Sequence, residues 1–330
     1  MPDRPGGAVR DAIVRGMTRR HLVLAVTGLF VAQTAWVLSQ TPKPPGPLKT
    51  ERVKGDLHLI SGEGGNVALY VTPEGVVLVD NMFDRNHAGI LEQIKSVTDR
   101  PLKYVINTHQ HDDHAGGDFK MLPMAEVIAH KNVRANLKDL KRPYYEDTPG
   151  TPIGLPRVTF TDELAVTLGE KEVQARYFGR GHTSGDAIVY FPELRTIHTG
   201  DLFLNFRPGT RPDKTPRPPG VPIYVDYVQG GSFMEWSKTL DGVLKLDFDT
   251  IIPGHGPLAT KADLVQFKTN LEAMRTRLIG LIKGGRTKAE MAKILEDDYG
   301  WRSTGCPPSP PTGGCLQYQQ LDALMAELGR

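Results

Sequence analysis

The chain has 330 residues, 39% of them apolar and 24% charged, enough apolar material for a packed core and too much for a chain that stays disordered. Lys and Arg number 40 against 38 Asp and Glu, leaving a net charge of +2. With no long Lys/Arg run, a nucleic-acid partner is not expected, and a small-molecule substrate is.

The first forty residues differ from the rest. Arg19 and Arg20 precede a mostly apolar run from Leu22 to Leu38, followed by small and polar residues. That order is the order of an export signal, and the twin arginine is Tat-like. Diluted by Thr27, Gly28, Gln33 and Thr34, the run is short for a bilayer span. We therefore expect residues 1–40 to be a cleaved signal, with an uncleaved membrane anchor as the alternative, and Met17 is a second candidate start. The expected location is periplasmic or secreted. Residues 41–50, "TPKPPGPLKT", read as a Pro-rich linker. The folded domain is expected over 51–260, with a helical extension over 261–330.

Within the domain, "NVALYVTPEGVVLVD" (66–80) predicts two strands joined by a Pro-Glu-Gly turn. Ile90, Leu91, Ile94 and Val97 recur at helical spacing over 87–99. "PLKYVINT" (101–108) and "AEVIAH" (125–130) read as strands, and 131–141 as a helix. The short alternating runs of 158–179 suggest an antiparallel meander. Residues 187–201 read as a hairpin turning at Pro192–Leu194. A Pro-rich irregular loop follows over 207–222, then a helix (233–246), a strand (250–254), a mostly helical stretch from Lys261 to Trp301, and a final helix over 316–328. Strands and helices mixed in this way suit a layered α/β domain. The cysteines are Cys306 and Cys315, flanking a Pro/Gly-rich turn, and in an exported protein such a pair reads as a disulfide.

The chemistry concentrates in "THQHDDHAGG" (108–117), directly after a predicted strand. His109 and His111, at i and i+2 of an extended segment, share a face and can reach one ion. Asp113 and His114 follow as the chain turns and can reach a second point nearby. Imidazole with carboxylate suits Zn²⁺. Four ligands cannot fill two tetrahedra, so others must come from later in the chain. "GRGHTSGD", "IHTGDLF" and "IIPGHGP" place His182, Asp201 and His255 in loops after strands, each beside glycine. His58, His87, His130 and His198 lack such a setting and read as surface or packing residues. Tyr224, Asp226 and Tyr227 read equally as cleft lining or as a packed loop.

The ordered set "HQHDDH", "GHTSGD", "HTGD" and "PGHG" resembles the metallo-β-lactamase superfamily from about Leu57 to Pro257. The resemblance implies an αββα sandwich: two mixed sheets face to face, helices outside, a metal site at one edge. It implies a first ion on His109, His111 and His182, a second on Asp113, His114 and His255, and Asp201 bridging the two. Asp80, closing "VLVD", would support the metal loop from behind. An aspartate at 201 resembles glyoxalase II, lactonases and other hydrolases of the superfamily; its true β-lactamases carry cysteine or serine there. The expected activity is an exported dinuclear zinc hydrolase that uses a metal-bridging hydroxide on an ester, thioester, lactone or amide, with Asp113 as the catalytic carboxylate. Iron or manganese are alternative metals. A β-lactamase proper is one competing reading; a non-hydrolytic iron-dependent or accessory metal-binding member is another.

Overall fold

In the computed structural model, the described residues are 45–139, 152–205, 224–299 and 320–329. The expected signal, the cysteine pair and the Pro-rich loop lie outside them.

The first sheet runs, among the described residues, in the order β1 (Lys49–Lys54), β2 (Leu57–Ser61), β3 (Val67–Thr72), β4 (Gly75–Val79), β5 (Leu102–Asn107), β6 (Glu126–His130) and β7 (Val158–Phe160). Strands β1 to β4 pair antiparallel, and β4 to β7 pair parallel. The second sheet is ordered β13 (Ala259–Thr260), β12 (Thr250–Ile252), β11 (Thr196–His198), β10 (Ala187–Phe191), β9 (Lys171–Tyr177) and β8 (Glu163–Leu168). Its pairs are antiparallel except β11 with β12.

Period-two alternation assigns each strand residue to one of two cores. In β3 and β4, Ala68, Tyr70, Val77 and Val79 face the second sheet, where they meet Val166, Val173, Val189 and Phe191. Leu69, Val76 and Leu78 face outward onto helix α1 (His87–Val97) through Ile90 and Ile94. Burial on both faces explains why these strands read as continuous apolar runs. Shorter helices α2 (Asp112–Ala115) and α3 (Asp118–Met121) follow β5, and α4 (Lys131–Asp139) follows β6.

The outer face of the second sheet is covered by α5 (Phe233–Val243), α6 (Lys261–Lys283), α7 (Lys288–Tyr299) and α8 (Leu321–Leu328). Trp236, Leu240, Leu271, Met274, Met291 and Leu295 share one core with Ile188, Ile197 and Ile251. The Thr260 side chain and Asp263 form a reciprocal capping box at the start of α6. Helix α8 has only 8 residues, too few to stand alone in water. It is held by burying Leu321, Leu324 and Leu328, worth about 1.5–3 kcal/mol each. The result is an αββα sandwich of two mixed sheets with helices outside.

The elements fall close to where the periodicity put them, with two departures. The sequence reading places no strand at β1, β2 or β13, and β1 begins inside the Pro-rich stretch assigned to a linker. Strand β7 does not join a meander with β8 and β9; it pairs parallel with β6 in the first sheet. Its three residues, Val158, Thr159 and Phe160, carry too short an alternation to reveal a partner.

Candidate metal centre

The apolar run of β5 ends at Asn107 and delivers the chain to the rim of the sheet. His111 is still extended (φ −66°, ψ 146°), and α2 starts at Asp112. The turn sends His109 and His111 one way and Asp113 and His114 another. Three strand ends of the second sheet face the same rim: His182 follows β9, Asp201 follows β11, and His255 follows β12.

Two groups result. His109, His111, His182 and Asp201 form one, and Asp113, His114 and His255 the other; within each, ligand-type atoms lie within 4.8 Å of one another. In the first, His111 Nδ1 is 2.9 Å from His182 Nε2, and His182 Nε2 is 3.5 Å from Asp201 Oδ2. In the second, His255 Nε2 is 3.1 Å from Asp113 Oδ2 and 3.3 Å from His114 Nε2. Asp201 touches both groups, because its other oxygen, Oδ1, lies 3.1 Å from His114 Nε2.

Three of the tautomers are fixed by partners that only accept, and the fourth by a hydroxyl whose proton is already committed. His182 Nδ1 donates to the Tyr224 carbonyl at 2.7 Å. His111 Nε2 donates to Asp226 Oδ2 at 3.0 Å, and His114 Nδ1 to Asp80 Oδ2 at 2.8 Å. The Thr108 hydroxyl donates to Asp80 Oδ2, which leaves its lone pair to accept from His109 Nδ1 at 3.1 Å. The opposite nitrogen of each ring therefore faces the centre. Among the described residues, His109 Nε2 is buried without a hydrogen-bond partner. Converging lone pairs with no donor between them repel, unless a cation or proton sits there. Two nitrogens bound about 2.0–2.1 Å from one tetrahedral zinc lie roughly 3.3 Å apart, close to the spacings found here. The residues fit a pair of metal ions.

The charges divide the rings: His109 and His182 are held neutral, and His114 is held ready for a proton or a cation. Burial, then the neighbouring imidazoles, push His109 well below the usual histidine range. Burial and the charge of His111 bring His182 down to about 4, so it is neutral and ligand-ready at pH 7. Against burial, the charges of Asp201, Asp113 and Asp80 hold His114 well above its ordinary value. Against burial again, the charges of His255 and His114 keep Asp201 well below its ordinary value, hence anionic.

The surroundings are built for close approach. A Cβ on Gly65 would sit 2.3 Å from the His114 ring, and one on Gly254 would sit 2.0 Å from Asp201 Oδ1. Asp80 holds φ +64°, a left-handed conformation uncommon outside glycine. It is kept there by accepting from the Thr108 backbone N–H (2.7 Å), the Thr108 hydroxyl and His114. Beneath the loop, Asn81 and Asn107 each donate to the buried Asp118 carboxylate, and Asn81 Oδ1 accepts from Gly117 N.

This fold has known counterparts. The profile of the Metallo-beta-lactamase superfamily matches residues 60–255. The chain belongs to the metallo-β-lactamase superfamily. It is 26% identical over 219 residues to a metallo-beta-lactamase type 2 from Bacillus cereus, covering 64% of this chain and 76% of that protein. To metallo-beta-lactamase IND-1 from Chryseobacterium indologenes it is 24% identical over 215 residues, covering 62% and 80%. A solved metallo-beta-lactamase from Pontibacter korlensis superposes with a TM-score of 0.54 at 18% identity, over 68% of this chain and 99% of that one. The DIM-1 metallo-beta-lactamase gives 0.55 at 20% identity, over 70% and 99%.

All seven residues singled out from the sequence for metal binding meet at this rim, with Asp80 behind them. Asp226, which the sequence reads equally as cleft lining or a packed loop, is fully buried against His111. The Tyr227 hydroxyl turns away to Glu327 at 2.6 Å. Neither position carries a spacing signal that ties it to the metal loop. His198 is pinned at both nitrogens, Nε2 to the Asn66 carbonyl and Nδ1 to Gly200 N, and is a packing residue. His130 stacks on Tyr177 at 3.9 Å, away from the centre.

Proposed function

We propose that this superfamily hydrolase is a dinuclear zinc enzyme that cleaves an ester, thioester, lactone or amide in a small molecule. The observation that supports it is Asp201, one carboxylate in reach of His182 on one side and of His114 and His255 on the other. His109, His111 and His182 would hold the first ion and Asp113, His114 and His255 the second, with Asp201 shared. Bound there, divalent ions supply a nucleophile from water at neutral pH and polarise the substrate oxygen. The chain's own residues do the rest. Asp80 and Asp226 orient the imidazoles through their outer nitrogens. Burial of His109, His111, His114, His182 and Asp201 keeps bulk water from most of the set and strengthens the charge interactions there. Asp113 is held well below the usual carboxylate range, against burial, by the charges of His114 and His255, so it is an anion suited to hold a cation rather than a proton. We further propose that residues 1–40 direct export, giving a periplasmic or secreted enzyme.

A second reading, β-lactam hydrolysis, is favoured by the names of the curated relatives and opposed by the aspartate at 201. The test is one panel: zinc-loaded protein of measured metal content against lactones, thioesters, esters, a chromogenic cephalosporin and phosphodiesters. Turnover of lactones or thioesters without the cephalosporin supports the first reading. Cephalosporin turnover alone would favour the second, and phosphodiester turnover alone overturns the carbonyl preference.

A further inference from the structure

Helix α8 lies beyond residues 60–255 that match the superfamily, yet its polar side chains reach toward the centre. Glu327 accepts three hydrogen bonds from the segment 227–233. The Tyr227 hydroxyl donates at 2.6 Å, the Ser232 hydroxyl at 2.5 Å and the Phe233 backbone N–H at 3.0 Å. The last two sit at the start of α5, where a carboxylate also meets the positive end of the helix. Just before α8, Gln320 is buried and bonds twice: its Nε2 donates to the Tyr224 hydroxyl at 2.8 Å, and its Oε1 accepts from Tyr227 N at 2.6 Å.

The segment so gripped carries the outer partners of two proposed ligands of the first ion. Tyr224 offers its carbonyl to His182, and Asp226 its carboxylate to His111. The backbone agrees: Asp226 N donates to the His182 carbonyl and Ser232 N to the Gly181 carbonyl, both at 2.8 Å. The second group takes its support elsewhere. His114 rests on Asp80, and Gly65 N donates to the Asp113 carbonyl. Helix α8 thus reaches one half of the centre in two steps.

We propose that α8 is a strap that sets the first-ion half of the centre, with Glu327 and Gln320 as positioning residues acting through Tyr224 and Asp226. The proposal rests on the two-ion reading. Glu327 touches no proposed ligand; it fixes the loop that aims His111 and His182.

The test reads metal rather than turnover. Glu327→Ala and Glu327→Gln are made in full-length chains carrying either His255→Ala, which leaves the first group, or His182→Ala, which leaves the second. Zn²⁺ affinity is measured by competition with a chromogenic chelator. Glu327→Ala is expected to weaken Zn²⁺ about tenfold in the first background, the lower range for an outer-shell partner, and less than about twofold in the second. Glu327→Gln, which keeps an acceptor for Tyr227 and Phe233, recovers most of the loss. Equal weakening in both backgrounds, or none in either, overturns the strap. Amide exchange on the metal-free chain gives an independent reading. Glu327→Ala should speed exchange at 181–184 and 226–233 and leave β3 to β5 and 112–115 unchanged; unchanged exchange at 181–184 overturns the proposal. A full-length wild type that retains no Zn²⁺ would sink the two-ion reading instead, and the exchange data would still judge the strap.

Discussion

The two sheets contribute to the centre in different ways. The first sheet supplies His109, His111, Asp113 and His114 from a single turn after β5. The second supplies His182, Asp201 and His255 singly, from the ends of β9, β11 and β12. One contribution is a motif held together by local chain geometry. The other exists only after three strands have been set side by side, with β11 and β12 in parallel register. A local turn keeps its ligands near one another even when the packing loosens; the dispersed set has no such protection.

The largest effects should come from removing one ligand on each side. His109→Ala and His182→Ala should each lose the first ion and lower turnover by about 10³-fold or more, since the ion supplies several kcal/mol. Metal content by mass spectrometry, with turnover of any substrate from the panel, checks this. If His182→Ala keeps both ions, the second sheet is not an equal partner. Next come the close approaches. Gly254→Ala should drive Asp201 out of place and cost both ions, whereas Gly65→Ala should disturb mainly His114 and the second ion. Equal loss of both ions in the two variants would break that distinction.

A milder pair compares the outer carboxylates. Asp226→Asn should weaken the first ion about 10–100-fold by loosening His111. Asp80→Asn should weaken both ions, because Asp80 reaches His114 directly and His109 through Thr108. Chelator competition separates the outcomes. The smallest effect lies in the first sheet, away from the centre. Burial lowers His130 to about 4, against 6.5 ordinarily. Its imidazole stays neutral in the fold but takes a proton near pH 6.5 in the unfolded chain. The stability it contributes is complete above pH 6.5 and is lost as pH falls toward 4. His130→Gln should therefore flatten the stability change between pH 7 and pH 5 by about 1–2 kcal/mol in denaturant titrations.

The layered α/β character was legible in the periodicity, and the His/Asp-rich loops after strands marked the seven candidate ligands; the sandwich and the division of the ligands between two ions were legible only through the resemblance of the ordered motifs to the superfamily. The role of Asp226 was not legible, since a carboxylate that acts across 115 residues on His111 leaves no periodic trace. Strand β1, "KTERVK", was missed because it is a polar edge with no buried residue, defined only by its ladder to β2. The grip of Glu327 on Tyr227 spans 100 residues and is equally silent.

The placement of His255 also sets a schedule. The first four proposed ligands leave the ribosome together, but the last, His255, emerges only 141 residues after His114. A nascent chain that captures zinc early would hold it on the turn after β5 alone, without the second sheet. Full occupancy can follow only once β12 has docked beside β11. Loading of both ions would then mark the moment at which the two sheets have closed on each other.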